Sequence, residues 1–537
     1  MKAETTTQRI ERIKRERPSW DILDDIRRWA ESGLAAVPED DLNVRMRAWG
    51  LYTQGDGQGT RGGAVPYLMM RVRTPGGVLT TEQVRTIASL SDRYARDTLD
   101  ITNRQNFQLH WLRLEDIPAI WDALSAVGWT SMGSCGDNTR TVTGCPLAGI
   151  DGSEITDATQ LALRIDRHLN GNPEFGNLPR KFKITVTGCA HWCTYPEIND
   201  LGLTAVRRGD EIGYHLRVGG GLSTRPHLAE RLDAFIRPEQ AVDVAVAAAA
   251  IFRDSDELRQ NRAKARIKFL FLNHGWTAAR FLAEVEGRLG YRLEPGAVEA
   301  PPNGSYRDHV GVHRQRDGRC FAGFSVLAGR IGPTRLRQVA DIADRFGSGL
   351  LRTTVMQNIV ALDIPEERIP RVRAEAEAAG LPLEGSPFQR GTLACTGSEF
   401  CKLALTETKA FAARLAADLT DRLPDLGADL KIAVTGCPNS CGQHWIADIG
   451  LQGVHLKVDG DLVEGYEVFL GGSLGASAGL ARRVRFKAPS PDVAPAVHRL
   501  LDRYRADRSP GETFRQWTDR IPDQALEATL TGTPVLR

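Results

Sequence analysis

The chain has 537 residues, 42% of them hydrophobic and 25% charged, with 69 Lys and Arg against 67 Asp and Glu. That profile is of a globular protein of two to four domains with a large core, and no apolar run approaches the length that spans a bilayer. The net charge of +2 selects no partner class, and the charge-alternating N-terminus, MKAETTTQRIERIKRERPSW, lacks the apolar core of a secretory signal. Nine cysteines is an odd number, and four of them have the spacing of metal ligands, which favours a reducing compartment over a disulfide scaffold. A cytoplasmic location is expected, with neither nucleic acid nor membrane as a partner.

In chain order, residues 1–60 read as an N-terminal arm. Residues 61–130 hold a strand-like run YLMMRVR, a helix TTEQVRTIASLSDRYA, a second strand LDITNRQNFQLHWL and a second helix IPAIWDALSAVG. Residues 131–300 form a further domain. The same plan returns over 306–385 as AGFSVLAGRI, TRLRQVADIADRFG, LLRTTVMQNIVALDI and RIPRVRAEAEAAG, and residues 386–537 close the chain. Landmarks recur at nearly constant offset: Gly188-Cys189 with Gly436-Cys437, Gln105-Asn106-Phe107 with Gln357-Asn358-Ile359, and Gly220-Gly221-Leu222 with Gly472-Ser473-Leu474. The expected fold is α+β, an internally duplicated, pseudo-twofold molecule built on a βαβ-type unit, with a deep central interface where ligand sites form.

Four thiols carry the chemistry. Five residues separate Cys395 from Cys401, and three separate Cys437 from Cys441 in a second loop. Thiolates suit iron–sulfur clusters, and four of them close a [4Fe-4S] centre. Gly397, Gly436, Pro438 and Gly442 let backbone turn around a bulky inorganic object. The alternative is structural zinc, which prefers pairs two to four residues apart and so fits the first pair poorly.

CTGSEFC followed by TGCPNSCGQ resembles the cluster signature of the siroheme-dependent sulfite and nitrite reductases of the ferredoxin type, and the resemblance extends over roughly residues 60 to 475. It implies ferredoxin-like half-repeats, two α/β domains that bind siroheme and the cluster, and Cys441 as the bridge between cluster and siroheme iron. It places Arg71, Arg140, Lys181 and Lys183 around the substrate anion, where Arg and Lys donors match small oxyanions. Lys181 and Lys183 alternate along an extended stretch and project to one face. The resemblance assigns Arg104, Gln105 and Gln108 to the siroheme carboxylates. It does the same for QNRAKARIKFL, read as a helix with Arg262/Arg266 and Lys264/Lys268 four apart. Asn439 matches a position against the macrocycle; alone it reads as a turn residue after Pro438.

Other residues carry less. Cys135, Cys145, Cys189 and Cys193 could hold a second cluster, but the loose Cys135–Cys145 spacing favours relics of duplication or buried small residues. Cys320 has no motif partner. Cys135 precedes Arg140 by five residues, and some relatives cross-link such a cysteine to tyrosine; Tyr52 and Tyr67 are the candidates, with an ordinary packed thiol the preferred reading. His191 and His444 read as hydrogen-bonded packing. The triple glycine at 219–221 resembles a phosphate loop only superficially. With no dinucleotide fingerprint or flavin domain, electrons come from another protein, ferredoxin first and a flavoprotein second. The expected reaction is six-electron reduction of sulfite to sulfide, because Lys183 is a fourth cation for a dianion. Nitrite reduction to ammonia is the alternative. Corrinoid oxidation of the precorrin-3B synthase kind is a further one, disfavoured by the complete cation set.

Overall fold

The computed structural model describes residues 4–57, 67–302, 307–426 and 429–533. The duplication is physical. In the first copy, strand Leu68–Val72 is linked by helix Thr81–Tyr94 to strand Leu99–Ile101, with Phe107–Leu112 antiparallel between the two. Thr80 starts the helix by accepting from the Gln83 amide while the Gln83 side chain reaches back, and Val84, Ile87 and Ala88 give it a buried face. The second copy repeats this with Cys320–Phe324, helix Pro333–Phe346, Leu350–Thr353 and Ile359–Ile364.

The stretch LDITNRQNFQLHWL is therefore not one strand. Leu99–Ile101 and Phe107–Leu112 form a hairpin that turns at Gln105, whose φ is +64°; Gln357 turns the second copy at the same φ. The polar ThrAsnArgGlnAsn run cannot continue a buried strand, and it forms the turn instead. Each copy also contributes backbone to its twin. Val78–Thr80 adds to the second sheet beside Leu350–Thr353, and Arg330 bridges to Asp100 of the first. The two sheets and their helices share one apolar core running from Ile22 to Leu383.

Each α/β lobe has its own core. In the N-terminal lobe Thr143–Gly144, Ile184–Thr187 and Leu201–Arg208 run parallel, and Glu211–Val218 returns antiparallel. The C-terminal lobe matches it with Thr392–Ala394, Ile432–Thr435, Ile449–Val458 and Asp461–Leu470. The register coincides, since Gly144 pairs with Val186 as Ala394 pairs with Val434. Ligand-bearing loops leave the carboxyl ends of such parallel strands.

Candidate functional site

Cys395 and Cys437 follow two adjacent parallel strands, so their loops emerge side by side. The Gly436 amide donates to Cys395 Sγ at 3.3 Å, and the Cys395 amide donates to the Val434 carbonyl at 3.1 Å. Gly397 adopts φ +71° with Thr408 Oγ1 2.5 Å from where a Cβ would stand, so only glycine fits this turn. At Gly442 the Val434 carbonyl would lie 2.2 Å from a Cβ. Burial, and then neighbouring Cys441, push the Cys401 thiol up to about 12. Burial also raises Cys437, to about 11. Thiols so placed become ligands only when a cation binds and takes the place of their protons. Among the described residues no three of these four sulfurs lie within 4.8 Å of one another. A single tetrahedral zinc ion would draw thiolates to about 4 Å apart. Such spacing leaves room for an object of several atoms, as a cluster is.

Facing Cys441 is a group of cations from the N-terminal half. Arg71 and Lys181 both lie within electrostatic reach of Cys441. Arg71 donates to Cys135 Sγ at 3.0 Å and to Gln108 Oε1 at 3.2 Å. Arg140 is held by the Ser134 and Gly136 carbonyls at 2.8 and 2.7 Å, and Arg104 by Asn199 Oδ1 and the Thr141 carbonyl at 2.8 and 2.7 Å. The Nε donors of Arg104 and Arg140 have no partner among the described residues. Phe182 turns inward between Lys181 and Lys183, which leaves both lysines half-buried on one side, just ahead of strand Ile184–Thr187. Arg71, Arg104, Lys181 and Lys183 all keep some accessible surface while protein surrounds them, as side chains lining a deep cleft do.

Crowding these charges is costly. Burial, then Arg140, pulls Arg104 down to about 9. Burial pulls Lys181 to about 7 and Lys183 well below its usual range, with neighbouring cations adding to both. Against this group stands Asp200, which accepts both Arg266 Nε and Nη2 at 2.8 and 2.7 Å and the Lys183 amide at 2.7 Å. A fold tolerates such an excess where an anion with several oxygens offsets it. The residues present therefore fit a polycarboxylate macrocycle together with a small oxyanion.

Several expected contacts are redistributed. Gln105 is fully buried and its amide clamps backbone, bonding the Gly144 amide and carbonyl at 3.0 Å and the Thr353 carbonyl at 2.7 Å. Gln357 does the same at Ala394, so this glutamine belongs to the repeat and not to the cationic group. QNRAKARIKFL is not one helix: Arg262–Lys264 is a 3-10 turn and the α-helix begins at Lys268. The four residues therefore diverge. Arg262 binds Asp137 through two bonds of 2.7 and 3.1 Å, beside Lys14 of the N-terminal arm. Lys264 is exposed, Arg266 joins the cations, and Lys268 Nζ holds the Gly221 and Leu222 carbonyls at 3.2 and 2.6 Å. Asn439 is exposed beside Cys441.

Cys135 and Cys145 do not pair: Cys135 lies under Arg71, whereas Cys145 joins Cys189 and Cys193. Of the two tyrosines, Tyr52 adjoins Cys135, and burial followed by that thiol raises its phenol. Tyr67 accepts from Arg96 at 2.6 Å against Trp111. His444 is buried among Trp445 and Phe469, and His191 is exposed. One functional residue escaped sequence reasoning. Asn103 donates to the Cys441 carbonyl at 2.7 Å and ties the hairpin turn to the thiolate loop. Its signal was present, inside the ThrAsnArgGlnAsn segment, but turn residues show no partner in sequence.

The family comparisons agree with this geometry. The profile described as "Nitrite and sulphite reductase 4Fe-4S domain" matches residues 135–293 and 386–522, and the "Nitrite/Sulfite reductase ferredoxin-like half domain" matches 62–127 and 313–379. The chain belongs to the nitrite and sulphite reductase family of oxidoreductases. It is 38% identical to an assimilatory ferredoxin-dependent nitrite reductase of Haloferax mediterranei, over 94% of this chain and 90% of that one. It is 39% identical to a sulfite reductase [ferredoxin] of Mycobacterium tuberculosis, over 93% and 92%. The solved structure of the Mycobacterium tuberculosis NirA protein superposes with a TM-score of 0.92 at 37% identity, covering 98% of both chains. Among the described residues no helix is long and apolar enough to cross a membrane.

Proposed function

We propose that this chain reduces sulfite to sulfide, with electrons from ferredoxin entering at a [4Fe-4S] cluster on Cys395, Cys401, Cys437 and Cys441. The observation that carries the reading is the cleft in which Arg71, Arg140, Lys181 and Lys183 gather near Cys441. Siroheme, when bound there, would supply an iron that accepts electrons singly and takes the sulfur end of the anion. Arg104, with its unpartnered Nε, and Arg266 are the side chains that would hold its carboxylates. The sulfite dianion consumes six electrons and eight protons and yields hydrogen sulfide and three waters. Each oxygen therefore leaves with protons that the pocket must deliver.

The residues suit that task. Arg71 and Arg140 would fix oxygens by directed N–H donors. Lys181, brought to about 7, can give a proton near neutral pH and regain one from solvent. Burial and neighbouring cations disfavour the charge on Lys183, and a bound dianion would restore it more strongly than a monoanion does. A cation about 4 Å from an anionic oxygen contributes roughly 4 kcal/mol at an effective dielectric near 20. Leu403, 69% exposed, lies at the surface two residues beyond Cys401, where a donor protein would come within reach of the cluster.

Nitrite reduction is the second reading, favoured by the equal likeness to relatives named for either substrate. Turnover with reduced methyl viologen separates them. The sulfite assignment requires a higher kcat/KM for sulfite than for nitrite in one preparation, and the reverse order would replace it with nitrite.

A further inference from the structure

The N-terminal lobe retains three of the four thiol positions. Cys145 follows Gly144 as Cys395 follows Ala394, at the same place in the parallel register, and Cys189 and Cys193 stand where Cys437 and Cys441 stand in the other lobe. The surrounding loops match as well. The Ile155 amide donates to the Gly188 carbonyl at 2.8 Å, as the Leu405 amide does to Gly436 at 2.6 Å. The fourth position differs: Asp151 stands where Cys401 stands. Its carboxylate is occupied, accepting from Arg307 at 2.6 Å and from Ser153 at 2.8 Å.

The spacing has changed with it. The three sulfurs lie within 4.8 Å of one another, and Cys189 and Cys193 are 3.4 Å apart. Thiolates on one tetrahedral ion with metal–sulfur bonds of about 2.3 Å sit about 3.8 Å apart. Thiolates of a cubane bind different irons and stand farther apart, as the C-terminal set does. All three are buried, at 2–3% exposure, under Leu147, Phe321 and Leu362. His309 is also buried, within electrostatic reach of Cys189, with both ring nitrogens unpartnered among the described residues. Arg307 lies near Cys145 and Cys193 and would offset the extra negative charge of three thiolates on a divalent ion.

We propose that Cys145, Cys189 and Cys193 form a mononuclear thiolate site for a soft cation, zinc, in the lobe that lost its cluster. Binding replaces three thiol protons, which pass to solvent, and involves no change of oxidation state. The site is independent of substrate and of siroheme.

The test is zinc and iron analysis of the purified full-length holoenzyme, produced with zinc in the medium and washed with a weak chelator. About one zinc per chain is expected. It should fall at least tenfold in Cys189→Ser and in Cys193→Ser, and persist in Cys320→Ser, a buried thiol outside the group, with iron equal in all. Should the variants fail to fold, zinc-edge X-ray absorption of the unaltered enzyme decides, with sulfur neighbours at about 2.3 Å expected. The proposal is overturned by unaltered protein without zinc, by zinc retained in both variants, or by zinc bound only through nitrogen and oxygen. A Cys189–Cys193 disulfide in peptide mapping, or extra iron that tracks with Cys189, would overturn it equally.

Discussion

The two lobes share one backbone plan, yet only one of the two clefts that the pseudo-twofold generates is cationic. Arg71 lies opposite Gln108 in its sheet, and the matching pair in the second copy is Gly323 with Val360. Arg104 corresponds to Met356, and Lys181 to Asp429. Arg140 corresponds to Arg390, which is neutralised by Asp429 at 2.9 Å and Asp308 at 3.3 Å. Lys183 corresponds to Lys431, whose ammonium lies 4.1 Å from the centre of the Tyr195 ring. Tyr195 in turn donates to Met356 Sδ at 3.1 Å. The second cleft thus keeps fewer cations and sets each against its own side chains, whereas the first keeps cations whose burial is unfavourable without an anion. Duplication supplied two scaffolds, and divergence left charge on one and a complete thiol set on the other, so that the two halves meet at a single centre.

The largest break in that comparison comes from the thiols. Cys437→Ser should cost the cluster, seen as lost iron and sulfide, and lower turnover by more than about 10³-fold, since removing one of four ligands opens the centre. Retained sulfide with ordinary turnover would show that the cluster is held elsewhere. Next is Lys181→Asp, which installs the residue of the other lobe. Reversing a charge near the anion should reduce kcat/KM by about 10²–10³-fold, the scale of a roughly 4 kcal/mol Coulomb interaction. A loss under fivefold would place Lys181 outside the pocket.

Lys183→Asn sharpens the comparison between substrates. Losing a charge-assisted hydrogen bond removes about 1.5–3 kcal/mol, so the KM for sulfite should rise about tenfold or more, and that for nitrite distinctly less. Equal losses would make Lys183 a support for the fold or the cofactor. The smallest effect is with pH. Burial, reinforced by Arg266 and Arg140, holds Lys181 at about 7, so in cofactor-free protein it loses charge as pH rises through that value. Sulfite binding measured by calorimetry should weaken above pH 7, and Lys181→Arg should move the fall to higher pH. A flat profile in the unaltered protein would contradict the assignment.

Much of this was legible in sequence because it is written in spacing. The thiol pairs, the offset landmarks and the alternation of Lys181, Phe182 and Lys183 need no tertiary knowledge. What was missed depended on partners. Gln105 looked like a ligand until its amide was seen on Gly144 and Thr353, contacts 39 and 248 residues away. Charges four apart at Arg262, Lys264, Arg266 and Lys268 invited a helix, but they settle on Asp137, solvent, Asp200 and backbone carbonyls respectively. Cys145 seemed loosely paired with Cys135 because the strand register that sets it beside Cys189 and Cys193 is invisible in spacing.

If the cations of one half and the thiolates of the other form a single redox centre in each chain, siroheme and cluster occur together. Siroheme and acid-labile sulfide measured together in one anaerobic preparation, beside Arg104→Met, test it most directly. One siroheme for each four-sulfide cluster is expected, with siroheme lost and sulfide kept in the variant. Two sirohemes per chain, or full siroheme in Arg104→Met, would contradict it.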